Sequence, residues 1–232
     1  MSFTPIRIGL IGAAGKLGTA IERLCQKDES LVVAARFQRQ SSLLEGNFDL
    51  YMDVSLAEDI EDRVSAALKT NRPILIGVTG LSDEQLNYLK ESSKKIPIFY
   101  APNFSIGIAI MKKLVEQMAS LFYPDAMLSI TETHHIHKKD APSGTAKLLA
   151  TAVGREVDIK SLRIGETIGI HEITFDSPEE QISLKHTAQS RDVFAKGALA
   201  AARFLSTQSP GLYTMESLMN HELRSSLCNA SL

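Results

Sequence analysis

IRIGLIGAAGKLG, residues 6–18, carries the first architectural signal in the chain. IRIGLI is a short apolar run, as expected of a strand buried on both faces of a parallel sheet. A glycine turn follows at once, and then helical periodicity through Ile21, Leu24 and Cys25. Gly12 permits the tight turn. Gly15 lets a pyrophosphate approach the backbone at the helix start, where unpaired N–H groups and the helix dipole favour an anion, and Gly18 permits close packing of helix on strand. The spacing is G-x-x-G-x-x-G rather than G-x-G-x-x-G, and glycine-rich turns also arise for steric reasons alone. Its place at the first strand–helix turn favours a dinucleotide, with Gly12, Ala13, Ala14, Gly15, Lys16 and Leu17 as candidate contacts.

Alternation continues outward from that unit. Residues 31–37, 50–54, 73–78 and 96–100 are short apolar strands, separated by helical patterns through Ile60, Val64 and Leu68 and through Leu86 and Leu89, the second capped by Asp83. Strands alternating with helices predict a Rossmann-like doubly wound parallel sheet, with ligands outside the carboxyl ends of its strands. No acid stands at residues 36–40, where a site selective for NAD places one on the ribose. Gln38 can hydrogen-bond a ribose hydroxyl, and Arg39 or Arg36 can meet a 2′-phosphate. NADPH is therefore expected to serve at least as well as NADH. Residues 106–123 form a long amphipathic helix, expected to turn Ile110, Met111, Leu114, Val115, Met118 and Leu121 inward. Strand patterns at 125–133, 161–164, 170–175 and 182–187 predict a smaller α+β domain with an open mixed sheet. Its apolar face would need a cover, which self-association can supply. Asp192 caps a further helix ended by Pro210 and Gly211, and residues 214–219 form a last short one. The expected division is 1–105 with 212–232 for the dinucleotide and 106–211 for substrate and oligomerisation.

Composition narrows the class. The 232 residues are 44% hydrophobic with a net charge of −2, enough for a sizeable core and without a basic block. Neither nucleic acid nor a membrane is the expected partner. Cys25 and Cys228 are too isolated for a disulfide framework, so a reduced, cytoplasmic protein is expected.

The chemistry concentrates in TETHHIHKKDAPSGTA, residues 131–146. Ser143 is placed to cap a helix over 145–155. The first turn of that helix offers unpaired N–H groups to a carboxylate, and Gly144 permits its close approach. Ser143, Gly144 and Thr145 are candidate substrate contacts, with His134, His135, His137 and Lys138 around the rest of the ligand. Histidine exchanges protons near neutrality, and lysine holds negative charge or donates a proton.

This run resembles the signature of the dihydrodipicolinate reductase (4-hydroxy-tetrahydrodipicolinate reductase) family, E-x-H-H-x-x-K-x-D-A-P-S-G-T-A. It matches at Glu132, His134, His135, Lys138, Asp140 and 141–146. The resemblance extends over nearly the whole chain, including the G-x-x-G-x-x-G spacing and Gln189-Ser190-Arg191 with Phe194. It departs where the usual G-T-T is Gly77-Val78-Thr79 and where loops before Asp53 and between Val157 and Leu162 are shortened. The resemblance implies reduction of (2S,4S)-4-hydroxy-2,3,4,5-tetrahydrodipicolinate, with loss of water, to (S)-2,3,4,5-tetrahydrodipicolinate in the diaminopimelate route to lysine. It implies His134 and Lys138 as the proton-handling pair, Lys138 the donor, with His135 on the substrate. It puts Gly77, Val78, Thr79 and Ala101, Pro102, Asn103, Phe104 on the nicotinamide side, and implies a homotetramer. No metal is expected. Two other readings of the same residues are a metal-dependent hydrolase or lyase built on His134, His135 and His137, and a non-catalytic nucleotide sensor. Stoichiometric zinc would favour the first, and absence of cofactor oxidation the second.

Overall fold

The computed structural model describes residues 4–37, 46–122 and 125–229. Gln38 and Arg39 lie outside them. Contacts divide the chain into two units, Met1–Phe104 with Phe194–Leu232, and Ser105–Val193. The helix beginning at Asp192 thus falls almost wholly in the first unit, whereas the sequence reading grouped it with the second.

Unit 1 alternates β1 (Ile6–Ile11), α1 (Lys16–Cys25), β2 (Leu31–Phe37), β3 (Leu50–Asp53), α2 (Ile60–Thr70), β4 (Ile74–Ile76), α3 (Asp83–Ser92) and β5 (Pro97–Tyr100). Its six strands are parallel, in the order β10-β5-β4-β3-β1-β2, where β10 is Gly211–Tyr213. The chain runs from β1 outward to β2 and then crosses to β3 on the other side of β1. That crossing is the topological switch point at which such sheets bind ligands. The central strands are apolar because both their faces are covered: Leu50, Tyr51, Met52, Ile74, Leu75, Ile76, Ile98 and Phe99 are fully buried, whereas the edge strand β2 alternates buried and exposed residues. The cap of α3 is Ser82, not Asp83. Its hydroxyl accepts from Gln85 N–H while the Gln85 side chain accepts from Ser82 N–H, a reciprocal box. The chain completes the unit with α6 (Asp192–Leu205), β10 and α7 (Met215–Asn229), the last much longer than the short helix expected.

Unit 2 holds α4 (Ile106–Leu121), β6 (Met127–His134), α5 (Gly144–Val153), β7 (Asp158–Arg163), β8 (Ile170–Asp176) and β9 (Gln181–Thr187). Its sheet order is β7-β6-β8-β9, with β7 parallel to β6 and the other pairs antiparallel. One face is apolar, and helices of the same unit cover it: Ile108, Met111 and Val115 of α4 and Ala146, Leu149 and Val153 of α5 pack on Leu128, Ile130, Ile173 and Phe175. The cover that self-association was expected to be able to supply is thus provided by the unit's own helices. The opposite face is polar, with Glu172 paired to Lys185 at 3.2 Å and Thr174 to Ser183 at 3.1 Å across neighbouring strands. A second correction concerns α4. Ile110, Leu114 and Leu121 are exposed, because the apolar arc of the helix is wider than its buried face, which runs through Ile108, Met111 and Val115. Among the described residues no helix is long and apolar enough to cross a membrane.

Candidate active site

Register builds the site in unit 2. Ile159, Ile130, Ile173 and Leu184 form one row across the four strands. Side chains on one face recur every second residue, so the next row is Ser161, Glu132, His171 and His186, and beyond it stand His134 and Arg163. The covered face therefore changes from apolar to ionisable toward the carboxyl end of β6. Glu132 is fully buried, and His134 and His171 nearly so.

Glu132 is the hub. Its carboxylate accepts from Arg163 Nη2 at 2.9 Å and Nη1 at 3.1 Å, from the Ser143 N–H at 3.2 Å and from His134 Nδ1. Burial pushes its pKa up, but the hydrogen bonds, led by Arg163, outweigh it and hold the carboxyl at about 2. The pKa of His134 is lowered by burial and by Lys138 and Arg163, against the upward pull of Glu132. His171 lies edge-on to His134 at 5.1 Å between ring centroids, and burial, with His134, pushes it down to about 4.

Above this floor, the loop from His135 to Pro142 is clipped down by Arg163, whose Nε donates to Lys138 O at 3.3 Å and Nη2 to Asp140 O at 2.5 Å. Lys138 Nζ donates to the Asp140 carboxylate at 2.7 Å. Burial of Asp140 works against ionisation, but Lys138 and the N–H groups of Asp140 and Gly144 hold its pKa below the usual carboxylate range. Asp140 thus already occupies, from within the chain, an ammonium and a helix-start N–H of the kind an incoming carboxylate seeks.

Ser143 caps α5: its hydroxyl accepts from Ala146 N–H at 3.1 Å and lies 3.3 Å from His171 Nε2. It is buried, with its own N–H on Glu132, so both its polar groups are engaged inside the unit. Gly144 is exposed, with open space where a Cβ would stand, and Thr145 is half-buried. The structure thus brings Lys138, His134 and the start of α5 together in one loop. It does not gather the three motif histidines: His134 turns down to Glu132, while His135 and His137 lie 6.3 Å apart between centroids. Among the described residues no three His, Cys, Asp or Glu side chains are grouped to hold a metal ion.

Arg163, His171 and His186 carry no motif signal. The clue was the alternation itself, since polar residues continue the period of the apolar ones. His186 has a supporting role like that of His171: its Nε2 lies 3.2 Å from the hydroxyl of Ser105, which caps α4.

In unit 1, a cavity of about 960 Å³ opens at the switch point between Gly12, Ala13 and Ala14, the end of β2 at Arg36 and Phe37, and Ser55 beyond β3. Gly12 has φ +87°, and a Cβ there would meet the backbone of Val54 and Ser55 at 2.9 Å. A Cβ on Gly18 would meet Gly12 O at 2.2 Å, so this helix can approach the turn only without a side chain. Gly15 caps α1 without a side-chain hydrogen bond, and Lys16 and Leu17 begin the helix. Arg36 is paired with Glu22, and Arg63 with the buried Asp53 at 2.5 Å. At the ends of β4 and β5, Val78, Ala101 and Phe104 are buried, and the Phe104 ring stacks on Phe99 and closes over Gly77. Thr79 and Pro102 are exposed, and Asn103 is partly so.

Residues 6–104 match the family model described as "Dihydrodipicolinate reductase, N-terminus", and residues 107–219 match "Dihydrodipicolinate reductase, C-terminus". The 4-hydroxy-tetrahydrodipicolinate reductase of Zymomonas mobilis is 38% identical over 246 residues, covering 92% of this chain and 97% of the relative. That of Caldanaerobacter subterraneus subsp. tengcongensis is 36% identical over 247 residues, covering 92% and 98%. Among solved structures, the dipicolinate-bound dihydrodipicolinate reductase of Paenisporosarcina sp. TG-14 superposes with a TM-score of 0.77 at 22% identity, covering 91% of this chain and 98% of that one. A probable dehydrogenase from Thermotoga maritima gives a TM-score of 0.63 at 11% identity, covering 92% of each chain.

Proposed function

The chain belongs to the dihydrodipicolinate reductase family, and we propose from this how its own residues divide the work. It is an NAD(P)H-dependent oxidoreductase of lysine biosynthesis, reducing (2S,4S)-4-hydroxy-2,3,4,5-tetrahydrodipicolinate to (S)-2,3,4,5-tetrahydrodipicolinate with release of water. Unit 2 takes the dicarboxylate. One carboxylate sits on the start of α5, displacing Asp140 from the Gly144 N–H and taking the N–H and hydroxyl of Thr145, while Ser143 fixes the turn from below. His135 and Lys138 hold the remaining polar atoms. His134 and Lys138 handle protons, with Lys138 the donor to the ring. The dipicolinate carried by the Paenisporosarcina protein, a planar analogue of such a substrate, supports this reading.

The dinucleotide fits unit 1, where the glycine turn at Gly12, Ala13 and Ala14 lines the cavity at the switch point. A bound reduced nicotinamide supplies the hydride. Gly12, Ala13, Ala14, Gly15, Lys16 and Leu17 hold its pyrophosphate, and the backbone of 77–79 and 101–104 faces its other end. We infer that NADPH serves at least as well as NADH, because no carboxylate follows β2 through Gln40. Arg36 is already held by Glu22, so this preference rests on Arg39. We further propose a homotetramer assembled through the polar face of the second sheet, and a cytoplasmic setting in keeping with the buried free thiol of Cys25.

The observation that carries the substrate assignment is the meeting of Lys138, His134 and the open start of α5 on one clipped loop. Lys138→Ala should lower kcat about 10²-fold or more while leaving the Kd for NADPH unchanged. Turnover at the wild-type rate in that variant would sink the assignment.

A further inference from the structure

We propose that Glu132 and Arg163 are positioning residues for the proton transfer: Glu132 fixes the His134 imidazole with its proton on Nδ1, leaving Nε2 to exchange protons, and Arg163 locks that carboxylate to the loop that carries Lys138. The proposal rests on the reading of His134 as a proton-handling residue.

Glu132 and His134 are two residues apart on β6 and face the same side of the sheet. Glu132 has no exposure to solvent, and an unpaired carboxylate there would be strongly unfavourable. The bidentate guanidinium and the Ser143 N–H make it a fixed anion. A fixed anion can only accept, so a neutral imidazole beside it must place its N–H on Nδ1 and its lone pair on Nε2. Nε2 lies beside Gly169, where a Cβ would stand 3.2 Å from it.

Arg163 has five N–H donors, and each has an acceptor. Nε donates to Lys138 O, Nη1 to Glu132 and to Leu162 O, and Nη2 to Glu132 and to Asp140 O. One planar group thus orients the carboxylate under His134 and holds two carbonyls of the Lys138 loop. A lysine could not replace it, having a single nitrogen and no fork. The charged and titratable groups around His134 are Glu132 on its own strand, Arg163 on β7, His171 on β8 and Lys138 on the loop. Of these only Glu132 favours the imidazolium, and removing its charge lowers the basicity of His134 further.

The tautomer is read directly on the wild-type protein by ¹⁵N NMR of the imidazole nitrogens, at a pH where His134 is neutral and assigned with a His134→Gln control. The expected result is Nδ1–H. Finding Nε2–H overturns the proposal whatever the variants do. Glu132→Gln should then lower kcat roughly 10²-fold, leave the Kd for NADPH unchanged, and move the acid limb of the kcat/KM profile to lower pH. Glu132→Asp, which restores the charge, should return that limb toward its wild-type position. A folded Glu132→Gln protein with an unshifted limb and wild-type kcat also overturns the proposal. If His134→Gln itself keeps wild-type kcat although the Nδ1–H tautomer is found, the reading of His134 fails and the geometry stands.

Discussion

Replacing Gly169 with alanine adds one methyl group beside the Nε2 edge of His134, the edge proposed to exchange protons. The new Cβ would lie 3.2 Å from His134 Nε2, 3.5 Å from its Cδ2 and 3.7 Å from His171 Cε1. The first contact is tighter than carbon and nitrogen normally accept, so the ring must retreat by a few tenths of an ångström. It cannot retreat freely, because Glu132 holds its other nitrogen and Arg163 holds Glu132. The displacement is taken up as misalignment of the His134–Glu132 hydrogen bond. Bonds to charged groups contribute about 1.5–3 kcal/mol, so losing about half of one, ~0.8–1.5 kcal/mol, corresponds to a roughly four- to thirteen-fold fall in kcat. Stability should barely move. Gly169 is not among the glycines with positive φ, and the reduced freedom of the unfolded chain, about 0.4–1 kcal/mol, offsets much of the crowding. Initial rates of NADPH oxidation with saturating dicarboxylate, together with a thermal melt, measure both quantities. An alanine variant with wild-type kcat would refute the reasoning, since it would show either that the ring moves without cost or that Nε2 takes no part. A variant that lost activity only through unfolding would refute it equally.

The buried ionisable row should also give unit 2 a characteristic acid sensitivity. His171 has a folded pKa of about 4 against 6.5 in the unfolded chain, so its contribution is present above about pH 6.5 and is lost as pH falls through that interval, at most on the order of 3 kcal/mol. Glu132, held at about 2, adds a second loss as pH falls below its ordinary value near 4.5. Urea midpoints measured between about pH 7.5 and about pH 4.5 should therefore fall with acid, and His171→Leu should flatten that slope; an equally steep slope in the variant would count against the assignment. In unit 1, a Cβ on Gly197 of α6 would meet Phe104 O at 1.8 Å, so Gly197→Ala should cost more through displacement of the helix than the roughly 1 kcal/mol gained in helix propensity. A fall in Tm of about 3–8 °C is expected, and an unchanged or raised Tm would be evidence against this packing.

The parallel sheet was legible because its strands are short apolar runs set between helical periods, and local pattern is enough for that. Its sixth strand was not. β10 is three residues following Pro210, too short to show any period, and it exists only through its pairing with β5. The inward face of α4 was missed for the opposite reason. With apolar residues at 106, 108, 110, 111, 114, 115, 118 and 121, periodicity offers several faces and only the partner sheet selects one. In the site, the motif gave Lys138, His134 and the start of α5 by spacing. Arg163 and His171 lie far along the chain from Glu132, and cross-strand register alone brings them to it. Ser143 was expected to cap the helix over 145–155, and it does cap α5, with its side chain buried.

The way the first unit is divided along the chain has a consequence during synthesis. Unit 2 is one uninterrupted segment, whereas unit 1 waits for Phe194–Leu232. While that segment is still inside the ribosome, β5 is the outermost strand of a sheet whose last member has not yet been made. Its partner, Gly211–Tyr213, emerges more than a hundred residues after it. At roughly 5–20 residues per second that interval is about 6–20 s, long compared with the folding of a small domain. For that time an apolar strand with Ile98 and Phe99 presents an unpaired edge, the geometry that recruits strands from other chains. The nascent protein thus carries this open edge through the whole synthesis of unit 2 and closes it only when β10 emerges.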